Sequence, residues 1–377
     1  MILDNINSAM KFDIVVIFNL SSYFFFKGKT MINIAINGFG RIGKNVARIL
    51  LESKEQQTYF KLVAINDLGD PKIQAHLLKH DSVHGTLSQS ISSQEGSILI
   101  DDKKIAYFQE KDPSSLPWES LNIDLVLECT GIFTNKIDAS KHLTAGAKKV
   151  IISAPGNDVD KTIVYGVNHT SLDSSDSVIS NASCTTNCLA PIAMVINQVF
   201  GIESGIINTV HAFTNDQNVL DMYHLDPYRA RATNSSIIPT KTGAAKAIGE
   251  VLPELNGKLS GFATRVPVLN VSMLDFTFET HKAASLKDIQ SQLKEASQSN
   301  LKGILAVNEN SLVSIDFNGC TASSIVDFNF MEQSGKLTKL IAWYDNEWGF
   351  SNRMLDLAKF WHSQALNNED ESIQKSA

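Results

Sequence analysis

Residues 32–67 constrain the fold more than any other stretch of this chain. Residues 32–36 (INIAI) form an apolar run of strand length, followed by Asn37-Gly38-Phe39-Gly40-Arg41-Ile42-Gly43. Val46, Ile49 and Leu50 then recur at helical spacing, and residues 62–65 make a second apolar run ending at Asn66-Asp67. Strand, glycine-rich turn, helix and strand in that order make a βαβ unit. Such a unit implies a parallel sheet, because a parallel pair needs a crossover long enough to hold a helix. Residues 123–127 and 150–152 read as further buried strands. Each runs into a small-residue turn, Cys129-Thr130-Gly131 and Ser153-Ala154-Pro155-Gly156.

The first turn carries chemistry. Gly38 permits a tight bend, Gly40 lets a pyrophosphate approach the backbone, and Gly43 lets helix and strand pack closely. The helix N-terminus adds unpaired N–H groups and a partial positive charge. Asp67 lies 24 residues after Gly43, at the end of the second strand. A carboxylate there accepts from the ribose hydroxyls of NAD and repels the 2′-phosphate of NADP. The plainer alternatives are a doubly wound fold without a nucleotide, and an Asp67 that only caps a helix beginning near Pro71.

Beyond residue 181 the pattern changes. Residues 185–200 read as a helix, whereas 206–213, 271–278, 324–330 and 337–343 alternate in the manner of strands covered on one face. Residues 286–296 form an amphipathic helix, 348–366 a final helix, and 367–377 a polar, frayed tail. A chain of 377 residues suits two domains. Its net charge of −7 argues against a nucleic-acid partner. Four cysteines without a C-x-x-C pair imply no disulfide framework, no metal site and a reduced, cytoplasmic setting. The apolar run at 14–26 is too short and too interrupted for a membrane span. Residues 1–30 read as an extension from a mis-called start, with Met31 opening the domain.

Ser183-Cys184-Thr185-Thr186-Asn187-Cys188 sits where a loop enters a helix. A thiol at a helix N-terminus has its thiolate stabilised by the dipole, and the same N–H groups suit an oxyanion. Cys184 is therefore the candidate nucleophile, while Cys188, one turn on, points into packing. His211 ends a strand 27 residues after Cys184 and is one of nine histidines available as its base. A thiolate–imidazole pair is expected.

These residues are recognisable. INGFGRIG (36–43), VAINDL (63–68), ECTGIF (128–133), SNASCTTNCLAP (180–191), HAFTNDQ (211–217), the run 237–277 and WYDNEWGFSNRMLDL (343–357) resemble the type I phosphorylating glyceraldehyde-3-phosphate dehydrogenases. The resemblance implies an α/β Rossmann domain plus an α+β catalytic domain with a mostly antiparallel sheet. It places the NAD domain at 31–183, the catalytic domain at 184–346, and a helix returning to the NAD domain at 347–377. It also implies a homotetramer, with glyceraldehyde 3-phosphate and inorganic phosphate as partners.

By the same resemblance, Cys184 is the nucleophile and His211 the base. Gly38, Gly40, Arg41, Ile42, Gly43, Asp67, Thr130, Ser153 and Asn346 contact NAD, Asn346 orienting the carboxamide. Ser183, Thr185, Thr242 and Gly243 hold inorganic phosphate, and Thr214, Arg231 and Arg265 hold the substrate's phosphate. The chain departs from the family at Phe213 and Phe350, where relatives often carry Tyr, and at Met222-Tyr223. It also reads Pro227-Tyr228-Arg229 where relatives have an extra arginine. The nearest rival is erythrose-4-phosphate dehydrogenase, which hydrolyses the thioester instead. A scaffold retained for binding alone is the rival from another class.

Overall fold

The apolar strand Ile32–Asn37 lies inside a nine-stranded sheet. The structure, a computed structural model, describes the backbone of residues 31–376 and the side chains of residues 31–364. The run at 14–26 and the expected extension 1–30 lie outside the described residues. From one edge the sheet runs Lys161–Thr162, Val178–Ser180, Lys149–Ile152, Leu125–Glu128, Ile32–Asn37, Phe60–Asn66 and Lys103–Phe108, all parallel. Ile34, Ala35, Ile36, Val126 and Leu127 are fully buried, which explains why these strands read as continuous apolar runs. Strand order reverses direction between Ile32–Asn37 and Leu125–Glu128, and a crevice opens at such a switch point, beyond the carboxyl ends of the strands.

Among the strands the sequence does not mark, Ser97–Ile100 and Ile91–Gln94 extend the sheet antiparallel beside Lys103–Phe108. They are short and half polar (SILI, ISSQ), so neither period nor apolarity marks them; tertiary pairing does.

The second sheet has seven strands in the order Ile238–Lys241, Leu259–Val266, Ile202–Ala212, Ser272–Thr280, Leu337–Tyr344, Ser324–Ser334, Leu305–Asn308. Four of its pairs are antiparallel and two parallel. Leu274, Phe276 and Phe278 alternate inward from Ser272–Thr280 into one core with Leu189, Ile192 and Ile196 of the helix Cys184–Phe200. The alternation seen in the sequence is this inner face.

The final helix, Trp348–Ser376, begins where Asp345 Oδ1 accepts from the Glu347 and Trp348 N–H groups at 2.9 and 2.7 Å. Its Phe350, Met354, Leu357 and Trp361 share a core with Val46, Ile49 and Leu50 of the helix Arg41–Glu52. It runs ten residues past its expected end at 366, since residues 367–376 carry neither proline nor glycine to stop it. No helix among the described residues is long and apolar enough to cross a membrane.

Candidate active site

The glycine turn occupies the switch point. Gly38 has φ +89°, and a Cβ there would lie 2.6 Å from the Thr130 backbone nitrogen. A Cβ on Gly43 would strike the Gly38 carbonyl. On Gly40 it would meet nothing within 4 Å, so the missing side chain leaves an open cradle ahead of the helix Arg41–Glu52. That helix has no side-chain cap, which leaves the N–H groups of its first turn, Ile42 among them, for a ligand's oxygens. The Arg41 side chain turns away, donating from Nε to Glu347 at 2.8 Å and pairing with Asp81. Arg41 thus offers the crevice its backbone rather than its charge.

Asp67 faces the same turn. Its Oδ2 accepts from Phe39 N at 2.7 Å, and its Oδ1 from Gly69 N at 2.8 Å and Gln74 Nε2 at 2.7 Å. The helix Pro71–Lys79 is capped instead by Asp70, which accepts from Lys72 N and Ile73 N. The capping alternative for Asp67 therefore falls. Across the crevice, Thr130 donates its N–H at 2.8 Å, and its hydroxyl, to Glu128. That fully buried carboxylate also accepts from Asn37 and pairs with His142. Ser153 follows the neighbouring strand, its N–H donating to the Glu128 carbonyl at 2.9 Å. Asn346, also buried, accepts from Ser272 Oγ at 2.8 Å on Oδ1, which leaves Nδ2 to donate. An open glycine cradle, an uncapped helix, a carboxylate and a free amide donor fit a dinucleotide.

Cys184 is the first residue of its helix. Ser183 is the N-cap, with Oγ accepting from Thr186 N at 3.1 Å. Cys184 Sγ lies 3.4 Å from His211 Nε2. His211 Nδ1 is 2.6 Å from both the Ala212 carbonyl, an obligate acceptor, and Arg265 Nη1, an obligate donor; the tautomer with Nδ1–H toward the carbonyl is the one that leaves a lone pair on Nε2 facing sulfur. Burial raises the Cys184 thiol, while Arg265 and the N–H groups of Thr185 and Cys184 draw it back down. Burial, then Arg265, pushes His211 down to about 3. Burial thus opposes a lone thiolate and a lone imidazolium alike, and the 3.4 Å contact is where the two would exchange a proton. Cys188 is fully buried against Ser324, and burial pushes its thiol up to about 12.

Other predicted anion ligands come from separate elements. Arg265 stands opposite His211 in the parallel strand register, with Nη1 2.6 Å from His211 Nδ1 and 3.0 Å from the Ala212 carbonyl. Thr242 and Gly243 begin the helix Ala244–Val251, Thr242 Oγ1 accepting from Ala244 N at 3.2 Å. Thr214 follows His211 into a turn closed by Gln217. The Thr185 hydroxyl is 2.9 Å from Tyr344 Oη, which also reaches Thr209 at 2.6 Å. Arg231 is not brought to this cluster. Its side chain is 68% exposed and paired with Asp221. Arg229, 22% exposed, takes the inner place, donating from Nε to Thr240 at 2.9 Å and from Nη2 to the Lys241 carbonyl. Its charge is felt at His211.

Residues 32–136 match the sequence model described as glyceraldehyde 3-phosphate dehydrogenase, NAD binding domain, and residues 183–346 match its C-terminal domain. The chain belongs to the glyceraldehyde-3-phosphate dehydrogenase family. It is 53% identical over 327 residues to a glyceraldehyde-3-phosphate dehydrogenase of Pseudomonas aeruginosa, covering 87% of this chain and 97% of that protein. Identity to glyceraldehyde-3-phosphate dehydrogenase 1 of Bacillus cereus is 52% over 338 residues, covering 89% of this chain and all of that protein. With the glyceraldehyde-3-phosphate dehydrogenase of Geobacillus stearothermophilus it is 50% over 337 residues, covering 89% and 99%. Membership in this family makes NAD the cofactor of the crevice. Three residues of this family member escaped sequence reasoning: Arg229, Gln74 and Tyr344. Only Tyr344 left a signal, as a hydroxyl on the otherwise apolar inward positions Leu340 and Ala342 of its strand.

Proposed function

We propose that this chain oxidises glyceraldehyde 3-phosphate, with NAD and inorganic phosphate, to 1,3-bisphosphoglycerate through a thioester on Cys184. The observation that carries this is the 3.4 Å contact between Cys184 Sγ and His211 Nε2 at the mouth of an N-capped helix. Residues 31–183 hold NAD, 184–346 carry the chemistry and 347–377 return to the first part. Gly38, Gly40, Ile42, Asp67, Thr130, Ser153 and Asn346 hold the cofactor, which supplies the hydride acceptor when bound. Cys184 attacks the aldehyde carbon as His211 Nε2 takes the thiol proton, and the N–H groups at the helix mouth receive the oxyanion. His211 gives that proton to the oxyanion, forming the hemithioacetal hydroxyl, and takes it back as the carbon loses its hydride to the acceptor that NAD would supply. Inorganic phosphate displaces the resulting acyl group from sulfur. Ser183, Thr185, Thr242, Gly243, Thr214 and Arg265 serve the two phosphate groups.

The second guanidinium at these phosphates is Arg229, not Arg231, because Arg229 bonds Thr240 and its charge is felt at His211. Replacing Arg229 with leucine should raise the KM for phosphate or for substrate about tenfold or more, the worth of one charge-assisted hydrogen bond. Arg231→Ala should change neither KM by more than about twofold. Steady-state kinetics showing the reverse order would return the role to Arg231.

A homotetramer in the cytoplasm suits the loop after His211, where Val219, Leu220, Met222, Tyr223, Leu225 and Ile237 are exposed apolar side chains. The test of the whole reading is one assay of the purified protein. It compares glyceraldehyde 3-phosphate with erythrose 4-phosphate, and phosphate present with phosphate absent. Turnover that is independent of phosphate, or faster on the longer sugar, sinks the proposal.

A further inference from the structure

The Asp67 carboxylate is pinned. Gln74, on the helix Pro71–Lys79, donates from Nε2 to its Oδ1 at 2.7 Å. Lys44, on the helix Arg41–Glu52, decides which way that amide faces. Its ammonium can only donate, and it donates to Gln74 Oε1 and to the Phe39 carbonyl, so Nε2 must face Asp67. Lys44 is 6% exposed and feels the charge of Asp67, so this anchor is held by the core. Gly69 completes the arrangement: a Cβ there would lie 2.6 Å from Gln74 Nε2 and 3.0 Å from Asp67 Oδ1. The amide reaches the carboxylate because position 69 has no side chain.

We propose that Gln74, oriented by Lys44, is the positioning residue that sets selectivity for NAD over its 2′-phosphorylated form. The proposal rests on the reading of Asp67 as the ribose ligand. An ionised carboxylate offers about four acceptor positions. Gly69 N, Gln74 Nε2 and Phe39 N take three, leaving one lone-pair direction for a ribose hydroxyl. A mobile carboxylate rotates away from an incoming 2′-phosphate and relieves the repulsion. A pinned one cannot, so the like-charge contact is retained in full. Gln74 thus acts through Asp67, and its effect falls on the difference between the two cofactors.

The experiment is calorimetric titration of the purified protein with NAD and with NADP, for wild type, Asp67→Ala, Gln74→Leu and Lys44→Met. Gln74→Leu should narrow the ratio of the two Kd values about tenfold, chiefly by tighter NADP binding. Lys44→Met should move the ratio the same way and stands in should Gln74→Leu fail to fold. A purely structural role for Gln74 would weaken both cofactors equally; an unchanged ratio in folded Gln74→Leu, or in Lys44→Met if that variant alone folds, overturns the proposal. If Asp67→Ala narrows the ratio and the other two do not, the ribose reading stands and only the positioning role is lost. If Asp67→Ala leaves the ratio unchanged, both are lost.

Discussion

Cys184→Ala should fold, retain NAD and lose at least about 10³-fold in turnover, roughly 4 kcal/mol of barrier. The magnitude follows from removing the covalent route: alanine at the helix mouth leaves the N–H groups and Arg265 in place but nothing for the acyl group to bond. Cys188→Ser is the matched control. That thiol is fully buried beside Ser324, its pKa is pushed up to about 12, and serine there should change turnover by less than about tenfold. Alkylation followed by peptide mass mapping should label Cys184 before Cys129, Cys188 or Cys320. A residual rate in Cys184→Ala within about tenfold of wild type would remove the nucleophile assignment.

The second largest effect is expected at His211. His211→Asn should depress turnover by roughly 10²–10⁴-fold, the range for a lost general base. The pH dependence has a definite sign. His211, pushed down to about 3, is unprotonated throughout the neutral range and can accept the Cys184 proton there. The Cys184 thiol itself is raised by burial, so without an acceptor its thiolate appears only as pH rises. Alkylation of Cys184 in His211→Asn should therefore slow near neutral pH and recover on the alkaline side. An alkylation profile identical to wild type would show that the 3.4 Å contact moves no proton.

Much of the site was readable before any fold was known, and for a common reason. Gly38, Gly40 and Gly43 are contiguous with the strand and helix they join, so their roles follow from local backbone geometry. Cys184 was identified because a serine cap, a thiol and the first helical turn occupy neighbouring positions. The Asp67 reading came from its distance in sequence, and the fold then removed the competing cap by assigning it to Asp70. The two short antiparallel strands had no comparable signal, since ISSQ and SILI acquire their conformation from the strand they pair with.

The sequence by itself determined the parallel sheet, the glycine crevice, the helix-mouth thiol and the alternating second sheet, because each is written in neighbouring residues or in one hydrophobic period. Only the tertiary structure decided which arginine packs beside Thr240. Arg229 and Arg231 are two residues apart in the same loop, and the packing of Thr240 and Asp216 around one of them sends the other to solvent. It also decided that Arg41 gives the crevice its backbone, since Glu347 comes from 306 residues away to take the guanidinium. Gln74 turns its N–H to Asp67 because Lys44, on a different helix, takes the amide oxygen, and Tyr344 joins Thr185 to Thr209 across separate elements. Such contacts depend on where helices and strands cross. No local sequence rule encodes that crossing, and the burial it creates is what raises the Cys184 thiol and lowers His211.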